Sequence, residues 1–347
     1  MRSAGGEKIA VHGRRYCVSP KDLDVVGIEN ALVDIIIDAD EHDLLQLGYQ
    51  KGVMHLVEEE EQARLLQYLA GRDLGIEVGG AGPNIIRLVA SLGARTCLAG
   101  MVADDDFGRH FRQRLAALGI MDRIATTTCA RTGTSVILVT GDAERTMHTH
   151  LGACRHFAPS YIPHPEIARA HYFVITGYQW DTDNQIAAAG QALQAAKAAG
   201  AKVVFDVADP FCIARHRQAF LDLMTEAKID ILFANQEEAK ALVGAEPEQA
   251  IAELASKVEV AIIKLGAAGA LVQSGKTRHH VASRKVAVRD TTAAGDMFAG
   301  GFLYGLLQGF DLPRCGALAA RCAEVVIQRI GATLPEDLRV QVGLDQG

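Results

Sequence analysis

The stretch "DTTAAGDMFAGGFLYGL", residues 290–306, gives the best starting point for predicting the fold. Apolar residues follow Asp296 at near-helical spacing, so we expect a helix that begins near Ala293. This helix would contain four glycines, and each glycine inside a helix costs about 1 kcal/mol relative to alanine. Such a cost indicates that other groups approach the backbone closely. The three glycines inside the helix, Gly300, Gly301 and Gly305, are expected to allow tight packing against neighbouring elements.

The residues before this helix predict a ligand site. A β-rich run at 285–289 is followed by a turn of small residues and then by the helix. Ligands of open parallel sheets bind where strands lead into helices, and the unpaired N–H groups of a helix start favour an anion. A simpler alternative is that Asp296 only stabilises the helix start by its charge. The Walker A pattern GxxxxGK[ST] is absent.

Short β-rich runs alternate with helical patterns through most of the chain. This alternation predicts an α/β fold with a mostly parallel central sheet and helices on both faces. The predicted strands are 23–28, 94–103, 170–177, 201–207, 229–235 and 260–266. The predicted helices are 84–92, 107–118, 184–199, 215–227, 236–242 and 247–256.

Two regions interrupt the alternation and predict a small separate β lid over one edge of the sheet. They are about 33–60 and 126–153, and the second contains "TGDAER", a hairpin signal between β-branched runs. The polar residues 1–21 show no periodicity and are interpreted as a flexible extension. The main domain is therefore expected to span 22–347.

Composition excludes several classes of protein. The net charge is −7 and no Lys/Arg-rich run is present, which argues against nucleic-acid binding. The seven scattered cysteines lack a CxxC pair, which favours free thiols in the cytoplasm. No apolar run approaches 18 residues, so no membrane association is expected.

A second glycine-rich turn, "GIEVGGAGPN" at 75–84, leads from a strand into a helix. It resembles the dinucleotide pattern GxGxxG only weakly, because the third glycine is missing. Asn84 could face a ligand or could be an ordinary residue of the helix start; the sequence leaves both open.

Together these motifs resemble the PfkB/ribokinase family of sugar and nucleoside kinases, and within it the adenosine-kinase-like bacterial branch. The resemblance covers residues 23 to about 335. Its motifs are Gly79-Gly80 with Asn84 and "ASLGARTCLAGMVADDDFG" (90–108), "NQEE" (235–238), "KLGAAGA" (264–270) and "DTTAAGD" (290–296). The branch is indicated by "GIENALVDI" (27–35), "KGVMHLV" (51–57), "ERTMHTHLGA" (144–153), "GYQWD" (177–181) and "ADPFCIARHRQAFLDL" (208–223).

The resemblance implies a ribokinase-like fold and ATP-dependent phosphorylation of a primary hydroxyl. It implies that Asp296 is the general base and that Arg145, in the lid, covers the transferred phosphate. An anion hole would be formed by the backbone of Ala293, Ala294, Gly295 and Asp296. The nucleotide would lie along Asn235, Lys264, Gly266 and Gly269, and Glu238 would bind Mg²⁺ through water. Asn235 and Glu238 could instead be a helix-capping pair.

On the acceptor side, the resemblance implies binding by Asn30, Asp34, Gly79, Gly80 and Asn84. Asn30 and Asp34 are four residues apart, so on one strand they would share a face. Two ribose hydroxyls could satisfy the buried acid, whose burial is costly without partners. Tyr178 and Trp180 could line a base pocket or belong to the core.

The chain departs from the family pattern at Ala293, where glycine is usual. Alanine keeps the N–H donor but is strained if its φ is positive. We expect a negative φ here, because strain would bring no visible benefit.

Four functions are compatible with these features to different degrees. The leading hypothesis is a nucleoside kinase with ATP, Mg²⁺ and an adenosine-like acceptor; the runner-up is a kinase of ribose or a fructose-type sugar. A non-catalytic binding protein would not need Asp296 or Arg145, and a dehydrogenase is supported only by "GGAGPN". The oligomeric state, monomer or homodimer, and a role for a monovalent cation stay open.

Overall fold

The protein is described by a computed structural model. It covers residues 8–11, 14–17, 21–142, 144–226 and 228–345. The predicted extension, 1–21, lies mostly outside the described residues. Within it the backbone forms two short antiparallel strands, β1 (Lys8–Val11) and β2 (Arg14–Cys17).

The remaining strands follow in chain order. They are β3 (Leu23–Ile28), β4 (Leu32–Asp38), β5 (Met54–Leu56), β6 (Gly75–Gly79), β7 (Thr96–Ala103), β8 (Met121–Thr127), β9 (Gly133–Val139), β10 (Arg145–His150), β11 (Ala170–Thr176), β12 (Lys202–Asp206), β13 (Ile231–Asn235), β14 (Val260–Lys264), β15 (Ala270–Ser274) and β16 (Thr277–Val281).

The helices alternate with these strands. They are α1 (Glu41–Leu47), α2 (Glu59–Tyr68), α3 (Ala81–Ser91), α4 (Asp106–Ala117), α5 (His164–Ala168), α6 (Asp183–Ala198), α7 (Pro210–Thr225), α8 (Gln236–Val243), α9 (Pro247–Ala255), α10 (Ala294–Leu307), α11 (Leu312–Val326) and α12 (Leu338–Gln341). Short 3-10 turns occur at Gly152–His156, Pro159–Tyr161, Gly177–Trp180 and Gly266–Ala268.

The main sheet has nine strands in the order β16-β15-β14-β13-β12-β11-β3-β7-β8. From β8 to β14 all neighbours are parallel, and β15 and β16 continue antiparallel. The central strands are mostly apolar, and every residue of β7 is buried. A parallel sheet covered on both faces requires this pattern. The structure therefore confirms the predicted α/β class.

Two apolar cores cover the faces of the main sheet. One contains residues of α6, α7, α8 and α9, and the other contains residues of α3, α4, α10 and α11. The glycines of α10 explain how closely these helices pack. A Cβ on Gly300 would lie 2.8 Å from Leu88 of α3, and Cβ atoms on Gly301 and Gly305 would lie 2.9 and 3.0 Å from backbone atoms of α11. The predicted packing role of these glycines is confirmed.

The lid is a separate five-stranded sheet in the order β5-β10-β9-β4-β6. Its outer face packs on α1 and α2 through Ile35, Ile37, Leu44, Leu65 and Val136. The predicted lid segments supply four of its strands. The fifth, β6, comes from the glycine-rich turn region and pairs antiparallel with β4, a long-range contact that local sequence does not encode.

The predicted strand at 285–289 is wrong. These residues form no strand and are largely exposed. The backbone amides of Arg289 and Asp290 donate to the carbonyl oxygen of Ile327, which follows α11, instead of to a neighbouring strand. The Arg284 side chain nearby pairs with Glu324 of α11 at 2.7 Å. Contacts with a helix end therefore replace sheet pairing here.

None of the helices in the described ranges is long and apolar enough to cross a membrane.

Candidate functional site

A cavity of about 960 Å³ lies between the lid and the carboxyl ends of the main-sheet strands. All the predicted site residues line it except Gly79. Residues that are more than 200 positions apart in sequence, such as Asn30 and Asp296, are thus brought to one place. The fold gathers them because parallel strands all end at the same edge of the sheet.

The start of α10 lies on this cavity, and its turn is left-handed. Ala293 is the residue before the helix and has φ 59° and ψ 9°. The expected negative φ is therefore wrong. No side chain in the described ranges caps this helix start. The amide of Ala294 donates to Thr291 at 3.2 Å, whereas in the described chain the amides of Gly295 and Asp296 have no backbone acceptor. Unpaired donors at a helix start form an anion site.

Asp296 lies in the first turn of α10 and accepts a hydrogen bond from Asn84 Nδ2 at 3.0 Å. Asn84 in turn accepts one from Arg87 at 3.2 Å. Burial raises the pKa of Asp296 to about 6, the Asn84 hydrogen bond opposes this shift, and the Asp206 charge adds to it. Asn84 thus contacts the predicted base directly as well as lining the cavity.

Arg145 reaches from the lid to the turn before α10. Its Nε lies 3.1 Å from Asp290, and its Nη2 donates to Thr291 Oγ1 at 3.1 Å. The Asp290 carboxylate also accepts from the amides of Thr292 and Gly331, both at 2.7 Å. The guanidinium is therefore held against the turn that precedes α10, by a carboxylate that two backbone amides fix in place.

Lys264 forms a buried ion pair that the sequence did not predict. Its ammonium lies 2.9 Å from Asp206, which ends β12. Burial lowers the pKa of Lys264, but the carboxylates of Asp206 and Glu238 outweigh this effect, and the net pKa is raised. A Cβ on Gly295 would lie 3.0 Å from this ammonium. Lys264 therefore adds positive charge beside the anion site.

Asn235 and Glu238 form a reciprocal capping box at the start of α8. The Asn235 side chain accepts from the Glu238 amide at 2.9 Å, and the Glu238 carboxylate accepts from the Asn235 amide at 2.6 Å. The capping alternative is therefore present in the structure. Both residues still line the cavity. Burial raises the pKa of Glu238, the Lys264 charge opposes this shift, and the Asp206 charge adds to it.

Asp34 lies in the lid wall and faces the cavity. It belongs to β4, whereas Asn30 lies in the link after β3, so the expected placement of both on one strand is wrong. The strand breaks because residues 29–31 cross from the main sheet to the lid. A Cβ on Gly79 would lie 1.9 Å from the Asp34 carboxylate, so this glycine makes room for the acid. Burial raises the pKa of Asp34 to about 7.

Asn30 is fixed by two partners. It donates to the Tyr178 carbonyl at 3.2 Å and accepts from Gln185 at 2.8 Å. Tyr178 lines the cavity, but Trp180 packs edge-on against Phe205 and Phe220 in the core. Of the two aromatic candidates, only Tyr178 is therefore placed for ligand contact.

Sequence reasoning missed Asp206, Asp290 and Thr291 as parts of this site. Asp206 had a usable signal, because it is an acid directly after the apolar run "VVF" at the end of a predicted strand. Asp290 and Thr291 lie in the quoted motif, but nothing local indicates that they hold Arg145. Ala208, after Asp206, has φ 82°. In the described part of the chain, Ala208 and Ala293 are the two non-glycine residues with positive φ, and both line the cavity.

Comparison with known proteins agrees with this fold. The pfkB family of carbohydrate kinases matches residues 53–339. The adenosine kinase structure from Sinorhizobium meliloti is 35% identical, with 92% of this chain and 98% of that chain covered and a TM-score of 0.87. A probable sugar kinase from Rhizobium etli CFN 42 is 34% identical, with 93% and 99% covered and a TM-score of 0.88. The ribokinase of Haemophilus influenzae is 28% identical over 275 residues, 76% of this chain and 85% of that protein.

The fold and the site define a phosphotransferase that uses an alcohol group as acceptor and ATP as co-substrate. The chain belongs to the pfkB family of carbohydrate kinases.

Proposed function

We propose that this chain phosphorylates the 5′ hydroxyl of a ribonucleoside, with adenosine as the preferred acceptor. The observation that carries the proposal is that the cavity has one polar wall and one largely apolar wall. Asp296, the open helix start and Arg145 lie together on one wall. The lid also contributes Arg145; its other cavity-lining residues are apolar apart from Asp34 and a few small polar groups, and the apolar ones are Leu32, Val53, Met54, Leu56, Ile137, Met147 and Leu151. An apolar wall suits a flat base better than a bare sugar.

In this proposal Asp296 accepts the proton of the attacking hydroxyl. A pKa near 6 leaves the carboxylate ionised at neutral pH and makes it a stronger base than an ordinary aspartate. Asn84 holds the carboxylate in place. The amides of Ala293, Gly295 and Asp296, with the charges of Arg145 and Lys264, stabilise the charge on the transferred phosphoryl group. Ala294 completes the turn.

The nucleotide is expected along Asn235, Lys264, Gly266 and Gly269, which line the cavity after β13 and β14. The charge of Asp206 contributes to the raised pKa of the nearby Glu238 carboxyl, and two acids this close are a setting in which a divalent cation fits. The described residues hold no cluster of three or more metal-binding side chains. Glu238 would bind Mg²⁺ through water, because Mg²⁺ keeps much of its hydration shell, and the ion would supply charge neutralisation on the phosphates.

The acceptor is expected to contact Asn30 and Asp34. Gly79 and Gly80 serve it indirectly: Gly79 makes room for Asp34, and a Cβ on Gly80 would lie 2.7 Å from the Asn30 carbonyl. Ribose 2′ and 3′ hydroxyls would give Asp34 the donors it lacks among the described side chains. We further expect a cytoplasmic monomer or homodimer; a monovalent cation could assist.

The test is a panel of nucleosides and sugars assayed with Mg-ATP for ADP release. Adenosine should be a better substrate than 2′-deoxyadenosine by roughly 5- to 150-fold in kcat/KM, because a missing hydroxyl leaves buried polar groups unpaired. Equal kcat/KM for these two nucleosides, or preference for ribose or a fructose phosphate, would contradict the nucleoside proposal.

A further inference from the structure

A chain of four charged side chains connects the lid to the main domain beside the cavity. Arg155, in the 3-10 turn after β10, pairs with Glu58 at the start of α2 and with Asp181, both at 3.1 Å. Asp181 also pairs with Arg215 of α7 at 3.1 Å. Asp181 and Arg215 line the cavity. Neither has a place in the phosphoryl-transfer chemistry described above.

Arg215 is held in a defined orientation. Its guanidinium lies over the Phe211 ring, 4.4 Å from the ring centroid, and its Nη1 donates to Asp181 Oδ1. Its Nη2 has a weak contact with Cys212 Sγ at 3.8 Å. Stacking on an aromatic ring together with a carboxylate partner fixes a guanidinium plane. Arg215 is therefore pre-oriented at the cavity wall.

The guanidinium keeps donors for a ligand. An arginine has five N–H donors, and within the described chain the only oxygen acceptor of Arg215 is Asp181. Each oxygen of Asp181 already accepts from an arginine, so part of its acceptor capacity is used. The pair thus presents the free guanidinium donors of Arg215 to the cavity.

The charge of the cluster decides what kind of ligand these donors suit. The two arginines are balanced by Asp181 and Glu58, so the cluster has no net charge. A site for a phosphate or carboxylate would keep a net positive charge. Donors in a neutral setting beside the exposed face of Phe211 fit an uncharged heterocycle that carries a ring nitrogen or a carbonyl oxygen.

We propose that Arg215, positioned by Asp181 and Phe211, is a specificity residue that donates a hydrogen bond to an acceptor atom on the nucleoside base. This inference rests on the proposed function. It explains why the cavity contains an arginine that is remote in sequence from every phosphate-binding motif. A bare sugar has no base and would make no use of Arg215.

The test compares Arg215→Met, which keeps the aliphatic stem, and Arg215→Lys, which keeps the charge. The matched control is Arg217→Met, two residues further along the chain and beyond a kink of α7 at His216; its side chain donates to the Leu242 carbonyl and does not line the cavity. For each protein, kcat and KM are measured for adenosine, inosine, cytidine and ribose, together with the KM for ATP and Tm.

Arg215→Met should lower kcat/KM for the best nucleoside about tenfold or more, mostly through KM, because a hydrogen bond to a charged donor is lost. Arg215→Lys should recover part of this loss. The KM for ATP, any turnover of ribose and the Arg217→Met enzyme should change less than twofold.

Two results would overturn the inference while leaving the proposed function intact. One is an unchanged kcat/KM for nucleosides in Arg215→Met. The other is a loss of kcat/KM that is equally large for ribose and is accompanied by a raised KM for ATP. If the wild-type enzyme prefers ribose over every nucleoside, the proposed function itself fails, and this inference fails with it.

Discussion

Two helices, α8 and α10, begin on the same cavity, and their first turns differ in side-chain capping and in backbone conformation. At α8, Asn235 and Glu238 cap each other, so the Glu238 amide is paired with a side chain, whereas the amides of Gln236 and Glu237 have no acceptor among the described residues. At α10, Ala293 adopts a left-handed conformation, no side chain caps the helix, and the amides of Gly295 and Asp296 have no backbone acceptor in the described residues.

The difference shows how a folded chain separates stability from ligand binding. A capped start stabilises its helix, because one of its orphan amides is paired with a side chain. The uncapped start of α10 leaves N–H donors unpaired, and the left-handed Ala293 adds backbone strain. Both raise the free energy of the folded protein, and binding of an anion can offset this cost. Lys264 and Arg145 direct positive charge at the α10 start, which strengthens this contrast. If this contrast is right, substitutions at the α10 start should mainly lower kcat, and substitutions at the α8 start should mainly lower the free energy of unfolding.

The largest effect is expected for Asp296→Asn. Asparagine keeps the shape of the side chain but cannot accept the hydroxyl proton. General-base catalysis contributes about 10²–10⁴-fold, so kcat should fall at least 10²-fold while ATP still binds. Steady-state kinetics and an ATP titration measure the two quantities.

The pH profile of the wild-type enzyme provides an independent check on Asp296. Its pKa is raised to about 6, and the base must be ionised to act, so kcat should fall as pH decreases below about 6. The residual activity of Asp296→Asn should lack this decrease. If the Asp296→Asn variant keeps a near-wild-type kcat, Asp296 is not the general base, and the α10 start does not have the proposed catalytic role.

A smaller effect, mainly on stability, is expected for Asn235→Ala. Loss of a helix N-cap costs about 0.5–2 kcal/mol, so the free energy of unfolding should decrease by this amount in denaturant titrations. The kcat should decrease much less than in Asp296→Asn, although the concentration of Mg²⁺ needed for half-maximal rate should rise. An unchanged stability with a 10²-fold loss of kcat would reverse the assignment of the two helix starts.

The smallest effect is expected for Ala293→Gly. A left-handed conformation costs an L-residue about 1–2 kcal/mol, and glycine removes this cost but adds unfolded-state entropy. Stability should therefore be equal or higher by up to about 1 kcal/mol. Because the N–H donor is retained, kcat should stay within about tenfold of the wild-type value.

Melting temperature and kcat of Ala293→Gly are measured side by side. A clear loss of stability would show that Ala293 is unstrained in solution. A 10²-fold rise in kcat would show that the alanine methyl group obstructs the natural enzyme.

The two helix starts also show how far sequence reasoning extends. The motif "NQEE" is enough to predict a capping box, because a capping box is made by residues three positions apart, and the structure contains it. "DTTAAGD" predicted a helix start near 293 correctly, but the conformation of Ala293 was predicted wrongly. A capping pair is a local interaction, whereas a backbone angle held in a strained region depends on everything packed around it.

The sequence alone determined the α/β class, the limits of most strands and helices, the kinase family and many, though not all, of the residues that line the cavity. Apolar periodicity reports burial locally, and several motifs in the right order are specific together. Only the tertiary structure decided that β6 joins the lid, that residues 285–289 form no strand, that Lys264 pairs with Asp206, and that Arg215 faces the cavity. Each of these depends on contacts between residues far apart in the chain, whose free energy becomes available only after the chain has folded.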